Sequence, residues 1–106
     1  MINSPIHTKK DILLAIRKNS EKVKSFGVKK LGLFGSFVRE EQKGDSDIDL
    51  LVEFEKGQKT FDNFINLSFW LEEELKHPVE LVTIDSMSPY IAPYITQEVE
   101  YVPLSP

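Results

Sequence analysis

The amino-acid sequence predicts a compact domain of the α+β or α/β type, with helices covering a small β-sheet, and three observations carry that prediction. Three short runs, KKLGLFG at 29–35, DIDLLVEFE at 47–55 and VELVTI at 79–84, are strand-like and too short for independent helices. Segments with apolar residues at helical spacing separate them, giving the order α-β-α-β-α-β-α. The chain has 106 residues, enough for one packed core and too few for a catalytic domain plus a separate substrate domain. A single domain over 1–106 is therefore expected, and any second half of a site must come from another chain.

Each element has its own signal. Thr8 with Asp11 three residues later forms a capping-box variant, and Ile12, Ile16, Val23 and Phe26 recur at helical spacing up to Gly27, which predicts a first helix over about 9 to 25. The apolar run KKLGLFG ends at Gly35 and reads as a buried strand. SFVREEQ forms a brief helix from Ser36, and KGDS at 43–46 is a turn. From Asp47 to Glu55 the residues alternate, with Ile48, Leu50, Val52 and Phe54 on one face and Asp47, Asp49, Leu51 and Glu53 on the other. Thr60 caps a long helix to about Lys76, the KHP sequence breaks it, and VELVTI follows as a third strand. The tail from Ser88 suggests a short helix interrupted by prolines and a small terminal strand.

At 100° per residue, Phe61, Phe64, Ile65, Leu71 and Leu75 share one stripe of the long helix, with Leu67 at its margin. Trp70 falls on the opposite side and Phe69 off the centre. Two readings follow for Trp70: it is covered by the tail with Tyr90 and Tyr94, or it anchors a partner or a second copy of the chain.

Composition narrows the function. With 41% hydrophobic and 28% charged residues and no low-complexity segment, the chain has the makeup of a globular domain. No apolar run approaches the roughly 18 residues that span a bilayer, and MINSPIHTKKD lacks the apolar segment of a signal peptide, so a cytoplasmic location away from membranes is expected. The absence of cysteine removes disulfides, thiolate metal sites and a Cys nucleophile. A net charge of −4 argues against nucleic acid as a direct ligand. His7 and His77 are expected to be solvated or capping residues.

The acids after the KGDS turn invite a chemical reading. Asp47 and Asp49, at i and i+2 of a strand, have Cα atoms about 6.6 Å apart on one face, so their carboxylates can converge on one ion. Unneutralised at about 5 to 6 Å they repel by roughly 3 kcal/mol at an effective dielectric of about 20. A divalent cation reverses that sign, and hard oxygen ligands suit Mg²⁺ with phosphate oxygens completing its shell. The plain alternative is a solvated strand face with turn-favouring aspartates, Asp45 among them. Upstream, the strand-Gly35-Ser36-helix unit offers backbone N–H groups, a hydroxyl and a helix N-terminus to an anion.

The pattern G-S-x10-D-x-D, filled by Gly35, Ser36, Asp47 and Asp49, is similar to the signature of the nucleotidyltransferase superfamily related to DNA polymerase β. The fuller form GSFVRE…SDIDLLV resembles the minimal nucleotidyltransferases of prokaryotes, and the likeness runs from the first helix to the third strand. The resemblance implies an α+β fold like the polymerase β palm, a small mixed sheet flanked by helices. It implies further that Gly35 and Ser36 contact the nucleotide triphosphate and that Asp47 and Asp49 bind Mg²⁺, with a third acid on a neighbouring strand. Glu80 takes that place where the family usually carries Asp, which makes Asp47, Asp49 and Glu80 the expected catalytic and metal-binding set, with Asp85 the fallback. Arg39 matches an arginine the family often has in the helix after Gly-Ser, although Glu40 stands where a glycine usually follows.

The activity implied is nucleotidyl transfer with two Mg²⁺ ions and ATP as donor. Its acceptor is a tyrosine of a helical HEPN-type toxin near the RNase site, with this chain as the antitoxin. Two other readings stay open. One is an antitoxin or adaptor that acts by contact, Glu80 marking weakened or lost catalysis. The other is adenylylation of a small hydroxylated molecule in a pocket completed by a second copy.

Overall fold

The computed structural model describes residues 8–43 and 46–104; His7, Gly44 and Asp45, with the expectations placed on them, lie outside the described residues. Helix α1, Lys9–Lys18, begins where Thr8 Oγ1 accepts a hydrogen bond from the Asp11 N–H at 3.1 Å. The continuous helix expected to residue 25 is instead broken at Asn19, whose backbone (φ −111°, ψ 30°) leaves the helical region before α2, Ser20–Lys24. The Asn19 N–H turns to the Ile16 carbonyl, and the Asn19 side chain donates to the carbonyl of Ala15 at 2.8 Å in its place. Ile12, Ile16 and Val23 stay in the core across the break, so the apolar period survives it.

Strand β1, Val28–Phe34, runs antiparallel to β2, Ile48–Phe54, with Leu31 opposite Val52, Leu33 opposite Leu50 and Phe34 opposite Asp49. Strand β3, Val79–Thr83, lies parallel to β2 on its far side, and the two-residue β4, Glu100–Tyr101, pairs antiparallel with β1 at Gly32 and Leu33. The result is the expected mixed sheet, in the order β3-β2-β1-β4. A parallel pair needs a long crossover, and α4, Phe61–Leu75, supplies it. Thr60 caps this helix by accepting from the Asn63 N–H at 3.1 Å. Among the described residues no helix is long and apolar enough to cross a membrane.

The sheet has two differently covered faces. On one, Leu31, Leu33, Ile48, Leu50 and Val52 pack with Ile12, Ile16, Leu67, Leu71 and Leu75 in a fully buried core. Each such side chain contributes about 1.5–3 kcal/mol of burial, so this layer holds the fold together. Strand alternation puts Gly32, Phe34, Asp49 and Leu51 on the other face. That face is covered by α5, Ala92–Glu98, and by the chain after it: a side chain on Gly32 would begin 2.5 Å from Val99 Cγ2. Glycine is what lets the tail cross β1 so closely.

The long helix departs from its projected stripe at both margins. Leu67 lies at the centre, in one buried row with Leu71 and Leu75. Phe61 is 76% exposed, because the first turn of α4 overhangs the end of β3 beside an open cavity of about 370 Å³ that Thr83 and Asp85 also line. Trp70 is half-buried, its ring centroid 6.1 Å from that of Phe26 in the turn between α2 and β1. Tyr90 and Tyr94 do not cover it, being 84% and 74% exposed.

Candidate active site

Gly35 ends β1 with φ 81° and ψ −154°, a backbone shape that side-chain-bearing residues rarely adopt. A Cβ there would also run into the carboxylate of Asp49. Two separate constraints thus demand glycine, and the second brings the Asp49 side chain flush against the Gly35 backbone. Ser36 follows directly and opens α3, Ser36–Arg39, a single turn that carries Arg39 at its end.

Asp49 is the centre of the acidic group. Its neighbours in register are Phe34 on β1 and Glu80 on β3. Burial first, and then the charges of Glu80 and Asp47, push its carboxyl up to about 6, against the opposing pull of the Arg39 guanidinium. Asp47 precedes the first strand residue and is exposed, so β2 begins one residue later than the alternation suggests. Glu80 is exposed on the edge strand. Asp85, the fallback, lies in a 3₁₀ turn, Ile84–Ser86, past the opposite end of β3. There it pairs with Lys59, which lowers its pKa. Register therefore favours Glu80 over Asp85 as the neighbour of Asp49.

Among the described residues no three His, Cys, Asp or Glu side chains converge closely enough to hold a metal ion. Repulsion among the three carboxylates adds, after burial, to the raised pKa of Asp49. The donor set of Asp47, Asp49 and Glu80 is carboxylate oxygen throughout, which fits a hard divalent cation. His77 is not part of it. Its ring packs edge-on against Phe37, with centroids 5.8 Å apart, and its Nε2 bonds the Ser46 carbonyl, tying the turn before β2 to the start of β3.

One residue of this region is absent from the sequence reading. Glu98, the last residue of α5, accepts a hydrogen bond from the Gly35 N–H at 2.7 Å and two from Arg39 Nη1 at 3.0 and 3.1 Å. Arg39 also donates to Glu41 at 3.1 Å, and these partners raise its pKa. The only sequence signal for the contact is Gly32, a small residue within a strand, which marks close approach by other chain without saying by which residue.

The arrangement, two carboxylates side by side on a palm-like sheet with a Gly-Ser turn closing on one of them, is that of a nucleotidyltransferase. Residues 15–102 match the model of the nucleotidyltransferase domain family, and the chain belongs to that family as an enzyme of the minimal nucleotidyltransferase type. The protein adenylyltransferase MntA of Thermococcus cleftensis is 46% identical over 77 residues, which span 73% of this chain and 77% of the relative. The solved structure of a candidate minimal nucleotidyltransferase is 33% identical, with a TM-score of 0.68 over 83% of this chain and 93% of that one. A chain in the solved complex of a tri-AMPylated Shewanella oneidensis HEPN toxin with an MNT antitoxin has the same fold, at 20% identity and a TM-score of 0.53 over 80% of this chain and 69% of that one.

Proposed function

We propose that this chain transfers AMP from ATP to a tyrosine hydroxyl of a helical HEPN-type toxin and so acts as its antitoxin. The observation that carries the reading is the seating of the Asp49 carboxylate against the Gly35 backbone, with Glu80 in register beside it. It sets acids that favour a cation next to donors that favour phosphate. The adenylyltransferase relative and the AMPylated toxin complex support AMP as the group moved and a HEPN protein as its acceptor.

The chain's residues divide the work. Gly35 N–H, Ser36 and Arg39 hold the β- and γ-phosphates. Asp47, Asp49 and Glu80 are the residues that hold Mg²⁺, which when bound neutralises charge on the triphosphate and on the leaving group. The acceptor oxygen bonds to the α-phosphorus, the bond from that phosphorus to the bridging oxygen breaks, and pyrophosphate leaves with its electrons. Glu80 takes the hydroxyl proton. Such chemistry depends on positioning and charge more than on covalent help from the protein.

The test is transfer of label from α-³²P-ATP to the purified toxin in the presence of Mg²⁺. Labelled toxin is expected with wild type and none with Asp49→Asn. Neutralisation of the toxin without labelling would leave an antitoxin acting by contact alone.

A further inference from the structure

The geometry points to Glu98 as an internal competitor for the triphosphate: its carboxylate occupies the donors that the phosphates need, and ATP must displace it to bind. This inference rests on the proposed function, which gives the phosphates to Gly35, Ser36 and Arg39.

Glu98 meets both kinds of donor at once, the Gly35 N–H at 2.7 Å and Arg39 Nη1 at 3.0 and 3.1 Å. Carboxylate and phosphate oxygens make the same charge-assisted bonds, and the Gly35 N–H has a single proton to give. Occupation by one anion excludes the other. The side chain is 25% exposed, so this is a seated contact and not one of many conformations of a surface glutamate. Glu41 provides the contrast: it also pairs with Arg39, but its side chain is 66% exposed.

The element that carries the plug is suited to moving. Helix α5 buries none of its residues fully, and it is followed by a strand of only two residues. Segments with so little buried apolar area open at a small fraction of the global unfolding free energy. Withdrawal of Glu98 therefore leaves the main core of α1, α4 and the sheet untouched. When the open form is the minor one, apparent affinity falls by its fractional population, so a seat open about one-tenth of the time weakens ATP binding about tenfold.

Binding of Mg-ATP and of adenosine to wild type, Glu98→Ala, Glu98→Gln and Glu41→Gln tests this by calorimetry. Glu98→Ala is expected to bind Mg-ATP about tenfold tighter, with Glu98→Gln between it and wild type. Adenosine affinity should stay within about twofold of wild type, because adenosine carries no phosphate, and Glu41→Gln should gain clearly less than Glu98→Ala, because Glu41 meets Arg39 alone and not the Gly35 N–H. Hydrogen exchange on wild type needs no substitution: Mg-ATP should speed exchange at the Val99 amide, which bonds the Ile95 carbonyl at 2.9 Å and reports on the end of α5. Wild type that binds Mg-ATP, with Glu98→Ala no tighter and Val99 no faster, overturns the competitor while leaving the proposed function standing. Failure of every variant to bind Mg-ATP overturns both.

Discussion

The Asp49 carboxylate fills the space where a side chain on Gly35 would begin, so the turn after β1 and the start of β2 are fitted to each other atom against atom. Gly35→Ala is expected to cost about 1–3 kcal/mol from its positive φ alone, with a further loss from the collision. In an Asp49→Ala background the collision with the carboxylate disappears, leaving the backbone part and a tight 3.2 Å approach to the Cβ of residue 49. Denaturant melts of the two single variants and the double variant measure this, and strictly additive losses would refute the fit.

Asp49 also makes the metal-free protein sensitive to pH. Its folded carboxyl titrates at about 6 against an ordinary 3.8, so the folded state binds the proton more tightly. The associated stability is fully present below about 3.8 and is lost as pH rises through about 6. In chelator, Asp49→Asn should therefore melt higher than wild type at pH 7.5, with the advantage vanishing by pH 4. Added Mg²⁺ should raise the melting temperature of wild type and leave that of the variant unchanged. A pH-independent difference would show that the repulsion at Asp49 is not what the substitution relieves.

Glu80 and Asp85 stand at opposite ends of β3, which makes them separable. Glu80→Gln keeps the size of the side chain and removes its charge, so transfer should fall about a hundredfold or more, on the scale of general-base loss, while Mg-ATP binding changes about threefold or less. Asp85→Asn should leave transfer within about twofold. The reverse pattern would hand the third-acid role to Asp85.

Trp70 and Phe26 form a pair at the edge of the helical layer. Because Trp70 is only half-buried, Trp70→Ala should cost about 1.5–2.5 kcal/mol, below the 3–5 kcal/mol of a fully buried tryptophan. Phe26→Ala should add little to it, since each removes the other's partner. Phe69, 63% exposed, should change stability by about 0.5 kcal/mol or less when replaced by alanine. Equal losses at 69 and 70 would contradict the observed orientation of α4.

The parts of the site that the sequence made legible are those fixed by local rules. Thr8 and Thr60 cap their helices because a threonine hydroxyl two or three residues ahead of a free N–H needs no tertiary help. The spacing from Gly35-Ser36 to Asp47 and Asp49 is legible for a similar reason, since an antiparallel pair joined by a short helix returns the second strand's start to the first strand's end. Glu98 was not legible, because its separation of 63 positions from Gly35 is bridged only by tertiary packing. Asn19 shows the same limit on a smaller scale. Its neighbours keep a helical period, and the break depends on a side chain choosing the Ala15 carbonyl.

The parallel pairing of β2 with β3 has a consequence for the order in which this protein comes into being. Asp49 and Gly35 belong to a nearby antiparallel pair and can meet early, whereas Glu80 reaches Asp49 only after the whole of α4 has formed and crossed the sheet. A chain emerging from the ribosome thus holds its Gly-Ser turn and both aspartates before it can assemble the acidic group, and Glu98 arrives later still. On the proposed function, the acidic group is complete once β3 docks beside β2, and the Glu98 carboxylate reaches the Gly35 N–H only after that.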